Sequence, residues 1–459
     1  MPTRTIQTVN PSTGEKLATY ELFSEEETLN AAKVARETFE TKWSKISVGE
    51  RANYMKKLTA SLRSKKTEYG KIMTLEMGKP ITQAEAEVEK CAWGADYYAE
   101  NSEKWLQDEL VTTDAKSSYV SLEPLGAILS IMPWNFPFWQ AFRFAIPTLV
   151  AGNTSILRHA SVCPGSALAI EEAFKNAGFP NGVFTTVITD HAAVAKLIES
   201  DYISGVSLTG STEAGQRVGE LAARNFKKFV LELGGSDPFI VLDDANIDRA
   251  AQVGATARLQ NAGQSCICAK RFIVVKSVAK EFTEKFVREF EKKKVGNPLE
   301  RTTDIGPLVN AEAVASIDEQ VKDAISKGAE TEVGGFPRPP GFFYEPTVLD
   351  KVDKRMKVMY EEVFGPVAPI FVVENEAQAI RTANDSEFGL GASLWTSNAD
   401  RARGLAKEIQ SGMVFVNELT KSDPRLPFGG VKKSGIGREL SKYGLKEFVN
   451  VKSVSIYGI

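Results

Sequence analysis

The chain has 459 residues, more than one ordinary hydrophobic core needs, so two or three domains are expected. The composition, 43% hydrophobic and 25% charged, is typical of a soluble globular protein, and the net charge of −3 gives no support for a nucleic-acid or membrane-surface partner. Four cysteines make no disulfide framework, and two histidines exclude a His-rich metal site by number.

The N-terminal part of the chain predicts a cytoplasmic protein that begins with helices. Residues 1–20 are polar and lack the apolar core of a signal peptide, and no stretch approaches the roughly 18 apolar residues of a membrane-spanning helix. Apolar residues at three- and four-residue spacing then predict helices over residues 31–43, 50–64, 66–77 and 81–106. Residues 119–122 alternate and are interpreted as an edge strand.

From residue 126 onward, strand-like and helix-like runs alternate. The predicted strands cover residues 126–132, 154–157, 183–188, 203–208 and 229–233, and the helices between them cover 138–150, 166–176, 192–199 and 213–223. A second unit has predicted strands at 239–242, 272–275, 367–373, 392–395 and 412–416, and helices at 250–259, 280–292, 311–326 and 402–409. This alternation predicts parallel, doubly wound sheets, which bind ligands beyond the carboxyl ends of their strands. The tail, 449–457, is expected to pair with another strand or another subunit.

Two of the cysteines lie one residue apart in the loop Gly-Gln-Ser-Cys266-Ile-Cys268, just before a predicted strand. A thiol on such a small-residue loop is a candidate nucleophile, although most lone cysteines are inert core residues. A Cys-His pair would need His159 or His191, so the scarcity of histidine favours a carboxylate as the base.

Three further stretches carry residues suited to chemistry. Residues 208–215, Leu-Thr-Gly-Ser-Thr-Glu-Ala-Gly, open a predicted helix whose amides suit a phosphate, unless Ser211 or Thr212 merely caps the helix. Glu232 lies between two leucines, where partial burial would raise its pKa toward that of a general base; the alternative is an exposed strand residue. Asn135, in Pro-Trp-Asn-Phe-Pro, is either a rigid turn residue or an oxyanion donor worth about 2.7–4 kcal/mol.

Together and in this order, the four motifs resemble those of the aldehyde dehydrogenase superfamily. Further matches are Glu-Glu-Val-Phe-Gly-Pro at 361–366, Asn-Asp-Ser-Glu-Phe-Gly-Leu at 384–390 and Pro-Phe-Gly-Gly at 427–430. The resemblance implies an α/β fold with a Rossmann-type cofactor domain, an α/β catalytic domain and a small β oligomerisation extension. The corresponding predicted ranges are 1–111 with 125–234, then 235–433, and finally 112–124 with 434–459.

The resemblance also implies roles for individual residues. Cys266 is the nucleophile, Glu232 the general base, and Asn135 forms the oxyanion hole with the backbone N–H of Cys266. The implied reaction passes through a thiohemiacetal and a thioester, and we expect local dipoles or the nicotinamide to lower the pKa of the thiol. The implied cofactor contacts are Trp134, Arg158, Ser161, Gly210, Ser211, Leu233, Glu362 and Phe364.

Two of these positions depart from the usual family pattern and bear on the cofactor. Arg158 stands where the family usually has Lys, and Ser161 stands where NAD-preferring members often have Glu. Serine removes a carboxylate that would repel a 2′-phosphate, and a guanidinium suits phosphate well. We therefore predict that NADP is preferred and that NAD is possible.

The predicted substrate is a small aldehyde. The chain is most similar to bacterial-type succinate-semialdehyde dehydrogenases, in which Arg143 and Ser422 would bind the distal carboxylate and Ser265 would border the substrate. Gln260 replaces a second arginine found in some relatives, and Arg143 is alternatively a salt-bridged helix residue. Glutarate semialdehyde, aliphatic aldehydes and betaine aldehyde are alternative substrates, and a non-catalytic protein that keeps the fold is the alternative of another class.

Two further expectations follow from the same resemblance. Cys268 is a possible redox partner that forms a disulfide with Cys266, or else a small packing residue. Residues 117–124 and 449–457 occupy positions at which relatives pair between subunits, so a homodimer or homotetramer is expected.

Overall fold

A computed structural model describes residues 4–458. Its α-helices are α1 (Glu25–Thr41), α2 (Val48–Ser64), α3 (Lys66–Met77), α4 (Ile81–Trp105), α5 (Pro137–Val150), α6 (Pro164–Asn176), α7 (His191–Glu199), α8 (Thr212–Arg224), α9 (Ile247–Leu259), α10 (Lys276–Glu291), α11 (Ala311–Ser326), α12 (Lys357–Tyr360), α13 (Glu376–Asn384), α14 (Ala399–Glu408) and α15 (Ser441–Leu445). Its strands are β1 (Thr5–Val9), β2 (Lys16–Glu21), β3 (Glu109–Leu110), β4 (Ser117–Pro124), β5 (Ala127–Met132), β6 (Thr154–His159), β7 (Phe184–Thr186), β8 (Ile203–Thr209), β9 (Lys228–Glu232), β10 (Asp237–Val241), β11 (Ala269–Val275), β12 (Glu330–Val333), β13 (Pro337–Arg338), β14 (Phe343–Tyr344), β15 (Thr347–Asp350), β16 (Val367–Val373), β17 (Phe388–Gly389), β18 (Gly391–Trp395), β19 (Met413–Val416), β20 (Val431–Lys432), β21 (Gly435–Ile436) and β22 (Val449–Ile456).

The boundaries of the first helices follow from local chemistry. The hydroxyls of Ser24 and Ser47 each accept a hydrogen bond from the backbone N–H of the glutamate three residues on. The carboxylate of that glutamate in turn accepts a bond from the backbone N–H of the serine, so both helices begin with a capping box. The first box extends α1 six residues ahead of the predicted start at residue 31. Helix α3 ends at Gly78, whose φ of +80° is readily adopted only by glycine.

The first sheet has the strand order β7-β6-β5-β8-β9-β21. Strands β5 to β9 are mutually parallel, as predicted, and β21 adds to β9 in the antiparallel direction. Helices α2 to α6 contribute to the apolar core beside it, with α4 and α5 packed against each other. The carboxyl ends of β5, β8 and β9 therefore meet at one edge, where the predicted motifs at residues 133–137, 209–215 and 232–235 emerge.

The second sheet has the order β12-β15-β16-β11-β10-β18-β19, and all its strands except β12 are parallel. A separate apolar core surrounds it. Strand β11 lies in the middle of this sheet, which places the cysteine loop that precedes it deep within the molecule. Two parallel sheets with covering helices confirm the predicted α/β class.

A third sheet, β22-β4-β3, is antiparallel and corrects one prediction. Strand β4 was expected at an edge but lies in the centre, because the tail pairs with it along its full length from Val449–Pro124 to Ile456–Ser117.

The hairpin of β1 and β2 was also missed, because its alternation carries few apolar residues. The domain ranges stay a prediction. Within residues 4–458 no helix combines the length and apolar character that a membrane crossing requires.

Candidate active site and cofactor cleft

The cysteine loop is held by backbone strain and by one buried lysine. Between α9 and β11, Asn261 and Ala262 both have φ near +54°. Gly263 follows at φ +75°, and a Cβ there would lie 2.2 Å from the carbonyl oxygen of Gly365, so only glycine fits. The Lys270 ammonium, fully buried, donates to the carbonyls of Ser265 (2.8 Å) and Cys266 (2.7 Å). These contacts fix the position of the Cys266 backbone.

Cys266 lies where two cavities meet. One cavity of about 430 Å³, here named the thiol cavity, runs from Cys266 and Gln140 to Ser422. A second of about 280 Å³, the middle cavity, begins at the same Cys266 and Gln140 and extends to Gly210. A thiol at this junction can contact a ligand in either cavity, so the candidate nucleophile lies between two binding spaces.

Burial raises the pKa of the Cys266 thiol to about 12, although the nearby charges of Arg143 and Lys270 act in the opposite direction. The prediction that local dipoles lower this pKa is therefore wrong for the protein by itself. The low-polarity surroundings penalise the thiolate more than the two cations stabilise it. In this structure the thiol is neutral near pH 7.

Asn135 is fixed beside the thiol. It borders the middle cavity together with Cys266, and its Nδ2 donates to the carbonyl of Gln264 at 3.0 Å. The side chain of Asn261 donates in turn to the Asn135 carbonyl at 2.8 Å. A primary amide carries two N–H groups, so one remains to donate into the cavity. The amide is thereby pre-organised, as the motif predicts.

Glu232 ends β9 with only 2% of its surface exposed, which rules out the alternative of an exposed strand residue. Neither carboxylate oxygen has a hydrogen-bond partner among the described residues. Burial raises the pKa of Glu232 well above its ordinary value, the charge of Glu439 adds to the rise, and Arg143 opposes it. The direction agrees with the sequence-based expectation. Its neighbours Leu233 and Gly234 border the middle cavity.

Arg143 is buried on α5 and is already paired. Its guanidinium forms an ion pair with Glu439, and both side chains are at most 5% exposed. It also lies 4.3 Å above the ring of Phe428 and borders the thiol cavity. The alternative of a salt-bridged helix residue therefore describes its contacts. Glu439 was not among the predicted site residues, because nothing near it in the chain indicates that it meets α5.

The far end of the thiol cavity contains Ser422. Its Oγ accepts hydrogen bonds from the indole of Trp139 (2.8 Å) and from the ammonium of Lys90 (2.6 Å). Ser265 and Gln260 also border this cavity. Lys90 was missed by sequence analysis, since a lysine in a helix is ordinarily exposed to solvent.

Most of the predicted cofactor residues lie along one cleft. The middle cavity continues into an outer cavity of about 560 Å³, and the two share five lining residues: Pro133, Trp134, Thr209, Gly210 and Ser211. Leu233, Glu362 and Phe364 border the middle cavity, and Arg158 borders the outer one. Ser161 borders neither, although its neighbour Ala160 borders the outer cavity. Ser211 both caps α8 and faces the cleft.

Among the described residues, the outer cavity has one arginine without a carboxylate partner. Arg158 and Arg217 border it together with His191 at the start of α7, and Glu213, which also borders it, is paired with Arg217 at 2.6 Å. The charge of Arg158 lowers the pKa of His191, with burial as the second cause. The other histidine, His159, is buried against the carbonyl of Pro137, and its pKa falls to about 4. Neither histidine borders the thiol cavity, which agrees with the expectation of a carboxylate base.

Cys268 has surroundings different from those of Cys266, and both thiols are free. Its Sγ is buried and contacts the carbonyl of Arg258 at 3.8 Å, and it borders neither the thiol cavity nor the middle cavity. Neither predicted alternative for Cys268, a redox partner of Cys266 or a small packing residue, is tested by these contacts, but they favour the packing residue.

Comparison with known proteins places this geometry in a family. A model of the aldehyde dehydrogenase family matches residues 1–454. The chain is 48% identical over 452 residues to the probable succinate-semialdehyde dehydrogenase (NADP+) of Synechocystis sp., covering 98% of this chain and 99% of that protein. It is 43% identical over 456 residues to succinate-semialdehyde dehydrogenase (NADP+) 1 of Mycobacterium tuberculosis, covering 98% and 99%.

A solved structure shows the same fold. The crystal structure of succinic semialdehyde dehydrogenase from Streptococcus pyogenes in complex with NADP+ superposes with a TM-score of 0.96 at 39% identity, covering 99% of this chain and all of that one. Family, sequence relatives and structure thus agree over nearly the whole length. The chain belongs to the aldehyde dehydrogenase family.

Proposed function

We propose that this protein oxidises succinate semialdehyde to succinate with NADP+ as the cofactor. The single observation that carries the proposal is the position of Cys266 at the junction of the thiol cavity and the cofactor cleft. The names of relatives at 43–48% identity support the substrate and the cofactor. The end of the thiol cavity that contains Ser422 suits an aldehyde with a distal carboxylate better than an apolar one.

The chemistry assigned to the chain is covalent catalysis by Cys266. The Cys266 thiol loses its proton to the carboxylate of Glu232, and its Sγ forms a bond to the aldehyde carbon as the C=O π bond opens; Asn135 Nδ2 and the backbone N–H of Cys266 donate to the resulting oxyanion. Glu232 then passes that proton to solvent, so that it is again a base for the second step. NADP+, when bound, accepts the hydride. The resulting thioester is attacked by water that has lost a proton to Glu232; the C–S bond breaks, and the acid leaves. The raised pKa of Glu232 makes it a stronger base than an exposed carboxylate. This equips the site for hydrolysis rather than for transfer to coenzyme A.

The residues along the cleft fit a dinucleotide with a 2′-phosphate. Helix α8 begins at the cleft, where its first amides favour a pyrophosphate. Arg158 borders the outer cavity, and its Nε is buried without a hydrogen-bond partner among the described residues. Ser161, close by in the chain, brings no carboxylate that would repel a phosphate. These residues support a preference for NADP.

The quaternary structure and location are part of the same proposal. We infer a homodimer or homotetramer that forms through the sheet β22-β4-β3. Its outer strand β22 exposes Val451 and is followed directly by the exposed Tyr457. We place the protein in the cytoplasm, in agreement with its four free cysteines.

The test is a steady-state assay of succinate semialdehyde, glutarate semialdehyde, betaine aldehyde and butanal with NADP and NAD separately. We expect the highest kcat/KM for succinate semialdehyde with NADP, and loss of turnover in Cys266→Ser but not in the matched variant Cys268→Ala. Equal or higher kcat/KM with NAD would refute the cofactor preference. A preference for butanal or betaine aldehyde would refute the substrate.

A further inference from the structure

One cation of the thiol cavity has no role in the chemistry described above. Four cationic side chains border this cavity: Lys90, Arg143, Lys293 and Lys421. Arg143 is paired with Glu439, and Lys421 is paired with Glu418 at 3.7 Å. Within residues 4–458, neither Lys293 nor Lys90 has a carboxylate partner; Lys293 is half-buried, whereas the surroundings of Lys90 are largely buried. A buried cation without a counter-ion is costly, so its presence in a ligand cavity needs an explanation.

Lys90 is held in one place rather than mobile. Its Nζ donates to Ser422 Oγ at 2.6 Å and lies 4.6 Å above the ring of Trp139. These contacts join α4, α5 and the loop after β19 at one end of the cavity. The remaining N–H groups of the ammonium are available to a ligand, because its other described neighbours accept no hydrogen bond from it.

The same contacts set the direction of the Ser422 hydroxyl. A serine hydroxyl has two acceptor lone pairs and one proton to donate. Ser422 Oγ already accepts from Lys90 and from the Trp139 indole, which occupies both lone pairs. Its proton must therefore be donated to a third group. A carboxylate, which only accepts, would satisfy both this hydroxyl and the ammonium.

We propose that Lys90, together with Ser422, binds the distal carboxylate of the substrate, and that Arg143 does not. This inference rests on the proposed function, since it assumes a semialdehyde acid in the thiol cavity. Position 260, where some relatives have a second arginine, is a glutamine here and brings no charge to this cavity, whereas Lys90 does. Arg143 instead forms an ion pair with Glu439 and opposes the rise in the pKa of Glu232, so the two cations serve different purposes.

The charge state of Lys90 agrees with this assignment. Burial, with the charge of Arg143 on α5 as the second cause, lowers the pKa of Lys90 to about 8, while Cys91 and Glu87 on α4 and Asp423 on the loop oppose the change. The ammonium therefore still predominates at pH 7. A bound carboxylate would stabilise the charged form further, so the KM for the acid substrate should rise as the pH passes above 8.

The test compares two aldehydes of equal chain length in Lys90→Met. We expect KM for succinate semialdehyde to rise about 10- to 100-fold, the range for a lost bond between charged groups, with little change in KM for butanal or in kcat. Lys90→Arg should recover part of the affinity, because it retains the charge. Lys104→Met, the same change at an exposed position of α4, is the matched control. If Lys90→Met fails to fold, Lys90→Gln takes its place.

Two results would overturn the proposal. One is an equal rise in KM for both aldehydes in Lys90→Met. The other is an equal effect of Lys421→Met on the acid alone, which would show that any cation at this cavity suffices. Failure of the proposed function is distinguished by the wild type: if it does not prefer succinate semialdehyde, competitive inhibition of butanal oxidation by glutarate is measured instead. A weaker inhibition in Lys90→Met then supports the carboxylate site, and an unchanged inhibition constant refutes it.

Discussion

Substitution of Arg143 by Met separates its two candidate roles. The ion pair with Glu439 is buried on both sides, with 2% and 5% of the side chains exposed. Removing one member of such a pair leaves an uncompensated charge and costs about 3–5 kcal/mol of stability. Removing both, in Arg143→Met with Glu439→Gln, should cost much less, because no buried charge is left without a partner. Glu232 also loses the cation that opposes the rise of its pKa.

The kinetic consequence follows from Glu232. Without Arg143 its pKa rises further, so a smaller fraction is the deprotonated base near pH 7 and the activity profile moves to higher pH. We expect kcat to fall for succinate semialdehyde and for butanal alike, while the ratio of their KM values stays nearly unchanged. Urea titrations of the wild type, both single variants and the double variant give the coupling free energy.

A selective effect on the acid substrate would contradict this role of Arg143. If Arg143→Met raises KM for succinate semialdehyde alone, with unchanged stability and unchanged kcat for butanal, then Arg143 binds the substrate carboxylate as the sequence predicted. In that case the assignment of Lys90 is also wrong.

Three further predictions concern the thiols and the cofactor. Inactivation by iodoacetamide should accelerate about tenfold per pH unit up to pH 10 without a plateau, because burial raises the pKa of Cys266 to about 12; a plateau near pH 8 contradicts this, and Cys266→Ser is the control. Arg158→Gln should raise KM for NADP about tenfold or more while changing KM for NAD little, measured at saturating aldehyde; an equal rise for both cofactors would show a general structural role. Peroxide inactivation should be the same in Cys268→Ala as in the wild type, because the Cys268 thiol faces the Arg258 carbonyl; reversal by dithiothreitol in the wild type alone would establish the disulfide.

The sequence determined the α/β class, most helices and the candidate residues that border the thiol and middle cavities, because these have local signals. Periodic apolar residues predicted α3 and α11 to the residue, and β16 likewise. Elements with few apolar residues, such as β1 and β2, were missed because periodicity reports burial rather than hydrogen bonding. Asn135 follows the parallel strand β5, and Cys266 precedes β11 in the middle of the second sheet, so the two motif residues meet.

Only the tertiary structure decided which polar and charged side chains meet. Lys90 and Ser422 are 332 positions apart, and Trp139 and Ser422 are 283 apart, so no local pattern relates them. The same holds for Arg143 and Glu439. For a related reason, the expectation that local dipoles lower the pKa of Cys266 is wrong for the protein by itself. Residue type supplied the two nearby cations, but the desolvation that outweighs them depends on how completely α5, the cysteine loop and the surrounding strands exclude water.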